Sequence, residues 1–469
     1  MYGRLRAQSQ APGTPGPDTR ASGRLARPLA VAWLATGVAA YAVSVLVYHH
    51  LLATNPTLWG HTDEFVYRAA GIEIHQHPAD LYRAHFGEPD RFKLPFTYPP
   101  IAALVFALFT SFRFAVWQSA LVGVDVLLLP VICYASLRVA GRRGLTAIAL
   151  AFAVAAMALW LEPVYMTMYF GQINLILLVL GMADLALPDS CRWKGIGIGI
   201  AAGMKLTPLV FIPFLLASHR IRAGLVAVLT FVVTVVVGFI ALPSAAHDFW
   251  FGDFVGKSGF TLQNQSIDGI LQRVLPGHPA AHTIWLAAAF AVGVAGLTVA
   301  ALVSRRGYEL TAIVLCSVTG LLISPISWTH HWVWAVVPGL ALVVAGDRRR
   351  GTGAPEPETD GVLAARPGGR SRVRNWAARA AGTAVLLFLF VMWPRPHQVG
   401  HVTELLPTGL LRLTPNGYGV EKTWHGWQLI SGNYYVILGA IGLAAAAGYL
   451  WATRTRRGTP RVLVLSRET

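Results

Sequence analysis

The sequence predicts an all-α polytopic integral membrane protein, with about 10–12 transmembrane helices and short re-entrant or interfacial helices between them. Of its 469 residues, 55% are hydrophobic and 13% are charged, and the mean hydropathy is +0.53. Apolar stretches recur from residue 29 to residue 452. Helices are expected because they satisfy every backbone polar group within the bilayer.

Twelve apolar runs follow one another along the chain. The first, 29–51, follows arginines but exceeds the roughly 7–15 apolar residues of a signal peptide, so it predicts an uncleaved first helix. A shorter run, 98–112, opens with two prolines. The remaining runs are 113–137, 143–160, 170–187, 195–217, 221–243, 281–303, 308–323, 329–345, 379–393 and 432–452.

The net charge of +16 comes from short basic clusters between apolar runs, not from one basic face. Nucleic acid is therefore not an expected partner, and the clusters are interpreted as cytoplasmic anchors. The clusters are Arg4 to Arg27, Arg138 to Arg143, Arg192 with Lys194, Arg220 with Arg222, Arg305 with Arg306, Arg348 to Arg374, and Arg454 to Arg461.

All these clusters share one side only if two apolar runs do not cross the membrane. We predict that 98–112 forms a short helix that does not cross the membrane, so that the chain lies on the outer side both before and after it. We predict that 195–217, interrupted at Lys205 and Pro208, forms two half-helices that turn back near Lys205. The polar segments 52–97, 161–169, 244–280, 324–331 and 394–431 would then all face outward.

Domain boundaries follow from composition. The segments rich in Pro, Gly and Arg predict disorder, and the apolar runs predict a membrane core. The expected parts are a disordered cytoplasmic tail (1–27), a membrane core (28–346), a disordered cytoplasmic loop (347–376), C-terminal transmembrane helices with an outer loop (377–453) and a cytoplasmic tail (454–469). The cysteines are widely separated, so no disulfide framework or CxxC metal site is expected: Cys133, Cys191 and Cys316.

Asp63 is the first candidate functional residue, because it lies just beyond the first apolar run in a chain with few charges. Tyr67 is four residues further on, so both share one face of a helix, and Glu64 points elsewhere. A carboxylate at the bilayer surface can accept a proton from a substrate hydroxyl. The alternatives are a solvated interfacial acid or a helix N-cap.

Tyr98, Gln172 and Asn174 lie where outer segments meet apolar runs, in FTYPP (96–100) and YFGQIN (169–174). The two amides need polar partners at a membrane helix end, which substrate would supply. Interhelical hydrogen bonds explain the amides equally well, and an aromatic belt at the interface explains Tyr98.

Lys205 lies inside an apolar run, in GMKLTP (203–208). A lysine at the centre of a membrane helix costs roughly 2.5–3.5 kcal/mol, which an anionic ligand such as a lipid phosphate would offset. The alternative is that the side chain extends to the interface.

His330 and His331 are adjacent in SPISWTHH (324–331). Adjacent helical residues point about 100° apart and seldom chelate one ion, so we expect one histidine to bind phosphate or orient a sugar hydroxyl, with no metal and no cofactor. Gln265 is a candidate sugar-binding residue in the outer loop 244–280, whose aromatic and amide side chains suit a sugar. A helix lying among headgroups would have the same composition.

Seven segments together resemble glycosyltransferase family 87, the GT-C class integral-membrane mannosyltransferases of actinobacteria. The resemblance covers roughly residues 60–345 in one order. The segments are DEFVYRAAG (63–71), LY (81–82), FTYPPIAALVF (96–106), GQINLILLVLG (171–181), GIGIGIAAGMKLTP (195–208), NQSIDGIL (264–271) and SPISWTHHWVW (324–334).

The resemblance implies a GT-C fold and an enzyme that moves mannose from a polyprenyl-phosphate-mannose donor to a mannoside acceptor, forming an α-1,2 link at the periplasmic face of the cell membrane. Acceptors in the family include phosphatidylinositol mannosides and the mannan of lipoglycans. Asp63 matches the family's acid in the first outer loop, expected to be the catalytic base. Glu64 follows it here, which leaves open an acidic pair acting on a metal.

Three other functions remain possible on the sequence. A polar-lipid transporter or flippase would also place Lys205 in a broken helix, but no self-similarity relates the two halves of the chain. A GT-C enzyme using another polyprenyl-phosphate sugar would share every motif. A structural subunit of an envelope assembly predicts that Asp63→Asn is harmless.

Overall fold

In the computed structural model, the described residues are 17–54, 60–87, 93–252, 261–347, 369–399, 402–417 and 419–455. Almost all regular structure in them is helical. The helices are α1 (Pro17–Thr54), α2 (Thr62–Gln76), α3 (Pro100–Ala107), α4 (Phe114–Val139), α5 (Gly144–Ala158), α6 (Glu162–Phe170), α7 (Asn174–Ala186), α8 (Ile196–Met204), α9 (Phe211–Ala217), α10 (Ile221–Ala241), α11 (Pro243–Phe251), α12 (Ile267–Val274), α13 (Ala281–Arg305), α14 (Glu309–Ile323), α15 (Val333–Ala345), α16 (Gly369–Phe390), α17 (Trp427–Ser431) and α18 (Tyr434–Thr455).

Within the described residues, five helices are long and apolar enough to cross a membrane, namely α1, α4, α10, α13 and α18. Shorter apolar helices coincide with most of the other predicted runs. Large apolar side chains such as Leu229 and Ile240 are exposed along α10, as expected for a surface that faces lipid. The prediction of an all-α polytopic membrane protein is confirmed.

Two helices extend beyond the predicted apolar runs. α1 begins at Pro17, inside the tail expected to be disordered, and α16 begins at Gly369, inside the loop 347–376. Arginine and alanine are good helix formers, so an apolar helix can continue into an Arg- and Ala-rich flank. The rest of these predicted disordered segments (1–16 and 348–368) and the tail from 456 lie outside the described residues.

Two short antiparallel hairpins, which the sequence did not lead us to predict, complete the fold. β1 (His85–Phe86) pairs with β2 (Leu94–Pro95), and β3 (Trp393–Val399) pairs with β4 (Val402–Thr408). Apart from Trp393, the second hairpin lies in the C-terminal segment 394–431 that the sequence predicts to face outward. The alternation of Pro with polar residues in β3 hides its strand character, since proline is uncommon within strands.

The segment 195–217 turns back on itself, as predicted. At its start, Gly195 lies against Ala223, and at its end Leu216 lies against Gly224, so both ends meet the first turns of α10. Gly203, near the middle, packs against Thr234 further along α10. The chain therefore runs along α10 through α8 and returns through α9.

Lys205 lies at the bend of this segment. It follows α8 in an extended conformation (φ −152°, ψ 131°). A single 3₁₀ turn, Thr207–Val210, then leads to α9, with Pro208 as its second residue. Asp184 of α7 caps the beginning of α8, since its carboxylate accepts from the amides of Gly195 (2.8 Å) and Ile198 (3.1 Å). The hairpin is thus fixed to α7 at its base and carries a lysine at its tip.

The run 98–112 forms the short helix α3, again as predicted. Its prolines set an extended approach and then the first helical turn. Pro100 packs against Gly238 near the end of α10, and Ala107 packs against Gly71 of α2. The helices α2 and α3 therefore lie together at one end of the bundle, called here the Asp63 end. The opposite end, where α10 begins beside Arg220, is called the arginine end.

Candidate active site

The beginning of α2 is anchored to the end of α6, which brings Asp63 beside Gln172. His61 adopts a left-handed conformation (φ 49°) directly before the helix. Its amide and that of Gly60 donate to the carbonyl of Tyr169, at 2.8 and 3.1 Å. Asp63 occupies the first helical turn, where the amide groups of a helix favour a negative charge.

The carboxamide of Gln172 is the hub of the site. Its Nε2 donates to Oδ2 of Asp63. Its Oε1 accepts from the hydroxyls of Tyr67 (2.8 Å) and Tyr98 (2.7 Å), which also lie 2.6 Å from each other. The predicted residues Asp63, Tyr67, Tyr98 and Gln172 thus form one network.

Lys205 closes this network from the tip of its hairpin. Its Nζ donates to Oδ1 of Asn174 (2.9 Å), to the hydroxyl of Tyr98 (3.2 Å) and to Oε1 of Gln172 (3.3 Å). An ammonium can only donate, which fixes the oxygen of Gln172 on the lysine side and its NH₂ on the Asp63 side. All three acceptors are neutral, so the amine is held in the site and its charge remains available to an anion.

Asp63 is half-buried, and its surroundings raise the pKa of its carboxyl group towards neutral pH. Burial raises the pKa of Asp63 to about 6, while the hydrogen bond from Gln172 and the charge of Lys205 oppose the rise. A carboxylate whose pKa lies near the working pH is an effective proton acceptor. The geometry is therefore suited to a general base that substrate can reach.

His330 and His331 occupy the 3₁₀ turn Thr329–Trp332 that leads into α15. They are 3% and 6% exposed, and both ring nitrogens of His330 and Nδ1 of His331 have no hydrogen-bond partner among the described residues. The carbonyl of His330 accepts from Asn174 Nδ2 (3.3 Å). Asn174 therefore joins the histidine turn to Lys205.

The two imidazole rings are nearly perpendicular, at 83°, with centroids 4.7 Å apart. This arrangement is not one in which both chelate a single ion. Among the described residues, no group of three His, Cys, Asp or Glu side chains could hold a metal. Unpaired buried nitrogens beside a lysine are suited instead to hydrogen bonding with an anion.

Gln265 does not join this network. Its side chain is 0% exposed, and its Nε2 donates to the carbonyls of Leu262 (2.7 Å) and Gly432 (2.8 Å). Its backbone amide donates to the carbonyl of Ser327 (2.7 Å). The sequence predicted that Gln265 binds a sugar, because amide groups form hydrogen bonds with hydroxyls. In the structure its NH₂ group already donates to two main-chain carbonyls. Gln265 supports the turn that precedes His330.

Glu64 points away from Asp63, as predicted. It is fully buried, its Oε1 lies 3.1 Å from Nδ1 of His61, and it packs against Gly171. Burial raises the pKa of Glu64, and His61 opposes the rise. The two carboxylates therefore do not converge on one point, which removes the geometric basis for an acidic pair on a metal.

Three further polar residues were missed by sequence reasoning. The hydroxyl of Tyr82 donates to the backbone carbonyl of Tyr98 (2.7 Å) and so helps to hold Tyr98 in position. Asp125 of α4 is buried, and neither of its carboxylate oxygens has a hydrogen-bond partner among the described residues. Glu162 accepts from Tyr435 (2.6 Å). The sequence could have indicated Asp125 and Glu162 as candidates, since an acidic residue within or beside an apolar run is costly and often functional.

The fold and site together define a class: an integral-membrane protein with a half-buried carboxylate at one end of a helix bundle, beside a lysine that pairs with no carboxylate among the described residues. A family model described as glycosyltransferase family 87 matches residues 96–325. That range includes Tyr98, Gln172, Asn174 and Lys205, whereas Asp63 precedes it and the histidine pair follows it. No solved structure matches the chain.

Relatives named as mannosyltransferases come from mycobacteria. A polyprenol-phosphate-mannose-dependent alpha-(1-2)-phosphatidylinositol mannoside mannosyltransferase of Mycobacterium tuberculosis is 30% identical over 66% of this chain and 76% of its own. A polyprenol-phosphate-mannose-dependent alpha-(1-2)-phosphatidylinositol pentamannoside mannosyltransferase of the same species is 34% identical over 62% and 67%. One of Mycolicibacterium smegmatis with the same description is 32% identical over 69% and 77%. The chain belongs to glycosyltransferase family 87 and is a membrane glycosyltransferase.

Proposed function

We propose that this enzyme transfers mannose from a polyprenyl-phosphate-mannose donor to a mannoside acceptor, forming an α-1,2 linkage. A phosphatidylinositol mannoside is the acceptor that the names of the relatives favour, and the mannan of a lipoglycan is the second candidate. Among the described residues, Arg220, Arg222 and Arg305 lie together at the end of the bundle opposite Asp63, which favours an active site that faces the periplasm.

One observation carries the proposal: Gln172 holds a carboxylate with a pKa near neutrality on one side and an ammonium on the other. Transfer of a sugar from a lipid phosphate to an alcohol needs both groups at once. A base must accept the proton of the alcohol, and a cation must hold the phosphate that leaves.

The reaction we propose is a single in-line displacement. Asp63 accepts the proton of the acceptor hydroxyl as its oxygen forms a bond to the anomeric carbon of mannose. The bond from that carbon to the phosphate oxygen breaks, and the polyprenyl phosphate leaves with the electron pair. A β-linked donor then gives an α-linked product, because one displacement inverts the configuration.

The phosphate side of the site would consist of Lys205, His330 and His331. The bonds of Lys205 to Tyr98 and Gln172 are its two longest, so a phosphate oxygen can replace either with a charge-assisted bond. The unpaired nitrogens of His330 supply further polar contacts. Asn174 keeps the lysine and the histidine turn at a fixed separation, since it bonds to both.

The proposal is tested by a membrane assay with labelled polyprenyl-phosphate-mannose and a phosphatidylinositol mannoside, comparing wild type with Asp63→Asn. Asparagine can still accept from Gln172 but cannot act as a base, so transfer should fall by ~10²–10⁴-fold. Glu73→Gln, on the same helix and outside the network, is the matched control and should transfer at close to the wild-type rate. If folded Asp63→Asn still transfers mannose at the wild-type rate, Asp63 is not the general base.

Orientation needs a separate measurement. Single cysteines placed at Arg222 and at His77 lie at opposite ends of the bundle, and a membrane-impermeant thiol reagent applied to intact cells distinguishes them. We expect labelling at position 77 alone. Labelling at position 222 from outside would reverse the proposed orientation.

A further inference from the structure

A cavity of about 440 Å³ opens at the arginine end, far along α10 from the Asp63 network. It lies where the hairpin 195–217 meets the beginning of α10 and the end of α13. Its walls include Ser218, Arg220, Arg222, Ser304 and Arg305. The site described above uses none of these residues.

The cavity faces the first turn of α10, a helix of 21 residues whose N-cap, Arg220, makes no capping hydrogen bond through its side chain. The first amides of a helix have no intrahelical acceptor and favour an anion. Ser218 adds an independent observation. It is 9% exposed, it lines the cavity, and its hydroxyl has no hydrogen-bond partner among the described residues.

The three arginines around the cavity differ in whether a carboxylate neutralises their charge. Arg222 donates to the carbonyl of Cys191 (2.9 Å) and Arg305 to that of Ala217 (2.6 Å), so both guanidinium groups keep their full charge. Arg220 is paired with Glu309 and lies 3.3 Å from Asp189.

Asp189 also lines the cavity, and it is itself paired with Lys194 at 2.9 Å. With Arg220, Arg222 and Arg305, four cations oppose the two carboxylates of Asp189 and Glu309. A net positive charge at a helix N-terminus is the usual setting of a phosphate site.

We propose that this cavity binds a phosphate group, and that in the membrane the phosphate is the headgroup of an anionic phospholipid in the leaflet at the arginine end. The phosphate would accept from the hydroxyl of Ser218, the amides of the first turn of α10 and the guanidinium groups of Arg222 and Arg305. Because these residues join the end of α9 to α10 and to the segment before α8, the lipid would brace the hairpin that carries Lys205.

The test uses the full-length protein in nanodiscs of phosphatidylcholine, with and without phosphatidylglycerol, followed by native mass spectrometry and thermal unfolding. We expect phosphatidylglycerol to be retained on the protein and to raise its Tm. Arg222→Gln should weaken retention about tenfold, the effect of one charge-assisted bond. Arg143→Gln, exposed at the same end but outside the cavity, is the matched control and should retain the lipid as wild type does.

Ser218→Ala is the more discriminating variant, because it should raise the Tm in phosphatidylcholine and reduce the further rise that phosphatidylglycerol causes. In phosphatidylcholine alone it should raise the Tm, since it removes a buried hydroxyl without a partner. With phosphatidylglycerol it should show a smaller lipid-induced rise than wild type.

Equal loss of retention in Arg222→Gln and Arg143→Gln would overturn the site, because general surface charge would then explain binding. A Ser218→Ala protein that responds to phosphatidylglycerol as wild type does would overturn it as well. Stabilisation by added inorganic phosphate, without retention of phosphatidylglycerol, would refute the lipid assignment in favour of a soluble phosphate.

Discussion

Asp63 and Lys205 are joined through one side chain, since the carboxamide of Gln172 donates to the acid at one end and accepts from the amine at the other. A carboxamide has a fixed length, so the separation of base and cation is set by a covalent group and not by the position of two flexible side chains. In the proposed reaction, the same carboxamide therefore holds both the base for the acceptor hydroxyl and the cation for the departing phosphate.

The first prediction concerns the pH dependence of transfer. Burial raises the pKa of Asp63 to about 6, and only the deprotonated carboxylate can accept a proton. We therefore expect kcat/KM to rise with pH through an apparent pKa near 6 and to fall about tenfold per pH unit well below it. Rates measured from pH 4.5 to pH 8 would show this limb, and a flat profile would contradict the assignment of Asp63.

The second prediction concerns Gln172→Leu. The hydrogen bond from Gln172 lowers the pKa of Asp63, so its removal should move the acid limb of the profile to higher pH. The change also leaves the hydroxyls of Tyr67 and Tyr98 without their shared acceptor, so kcat should fall as well. A loss of rate with no movement of the limb would mean that Gln172 has a structural role alone.

Most of the fold could be predicted from the sequence, because lipid imposes a simple rule. Hydropathy alone indicated the span of α10 and the break at Lys205, and the distribution of arginines indicated that the broken segment turns back. The extension of α1 to Pro17 could not be predicted in this way, since its added turns are polar and depend on helix propensity.

The site could be predicted less completely. Asp63, Gln172 and Lys205 stood out because polar groups are costly at a membrane. Their connection through one carboxamide depends on the tertiary arrangement of α2, α7 and the hairpin, which no local pattern encodes. Gln265 shows that residue type alone does not place a side chain, because the chain uses its NH₂ group to hold its own backbone, and its role in sugar binding stays a prediction.

The third prediction concerns Lys205→Met, which keeps an unbranched side chain one atom shorter and removes the charge. If Lys205 binds the donor phosphate, the KM for the lipid donor should rise by roughly ten- to a hundredfold. The lysine also lowers the pKa of Asp63, so the acid limb of the pH profile should move upward. Donor titrations at several pH values measure both effects, and an unchanged donor KM would place the phosphate elsewhere.

The fourth prediction compares two glycines. Gly171 adopts a left-handed conformation (φ +66°), and a Cβ there would come within 2.7 Å of the Cβ of Glu64. Gly171→Ala should therefore lower the Tm, from backbone strain of about 1 kcal/mol and from overlap with Glu64, and should displace Gln172. Gly123→Ala in α4 is the control, since nothing lies within 4 Å of its Cβ position and alanine favours a helix.

Both variants should be measured for Tm and for transfer in the same detergent. We expect Gly123→Ala to be as stable as wild type or more stable, with normal transfer. A Gly171→Ala protein with wild-type Tm and rate would show that Glu64 and Gly171 do not position Gln172.

The last prediction concerns Asn264, which holds the segment before the histidine turn. Its Oδ1 accepts from the amide of Ser327 (2.9 Å), and its Nδ2 donates to the carbonyl of Pro325 (3.0 Å). Asn264→Ala leaves the buried amide of Ser327 without its acceptor, at about 1–3 kcal/mol, and leaves the carbonyl of Pro325 with only the hydroxyl of Ser266 at 3.4 Å. Both losses free the turn that carries His330. We expect a lower Tm and a raised donor KM, because a mobile histidine binds phosphate less well. The exposed Asn416, changed to alanine, is the control and should alter neither quantity. If Asn264→Ala lowers the Tm but leaves the donor KM unchanged, the histidine turn does not contact the donor.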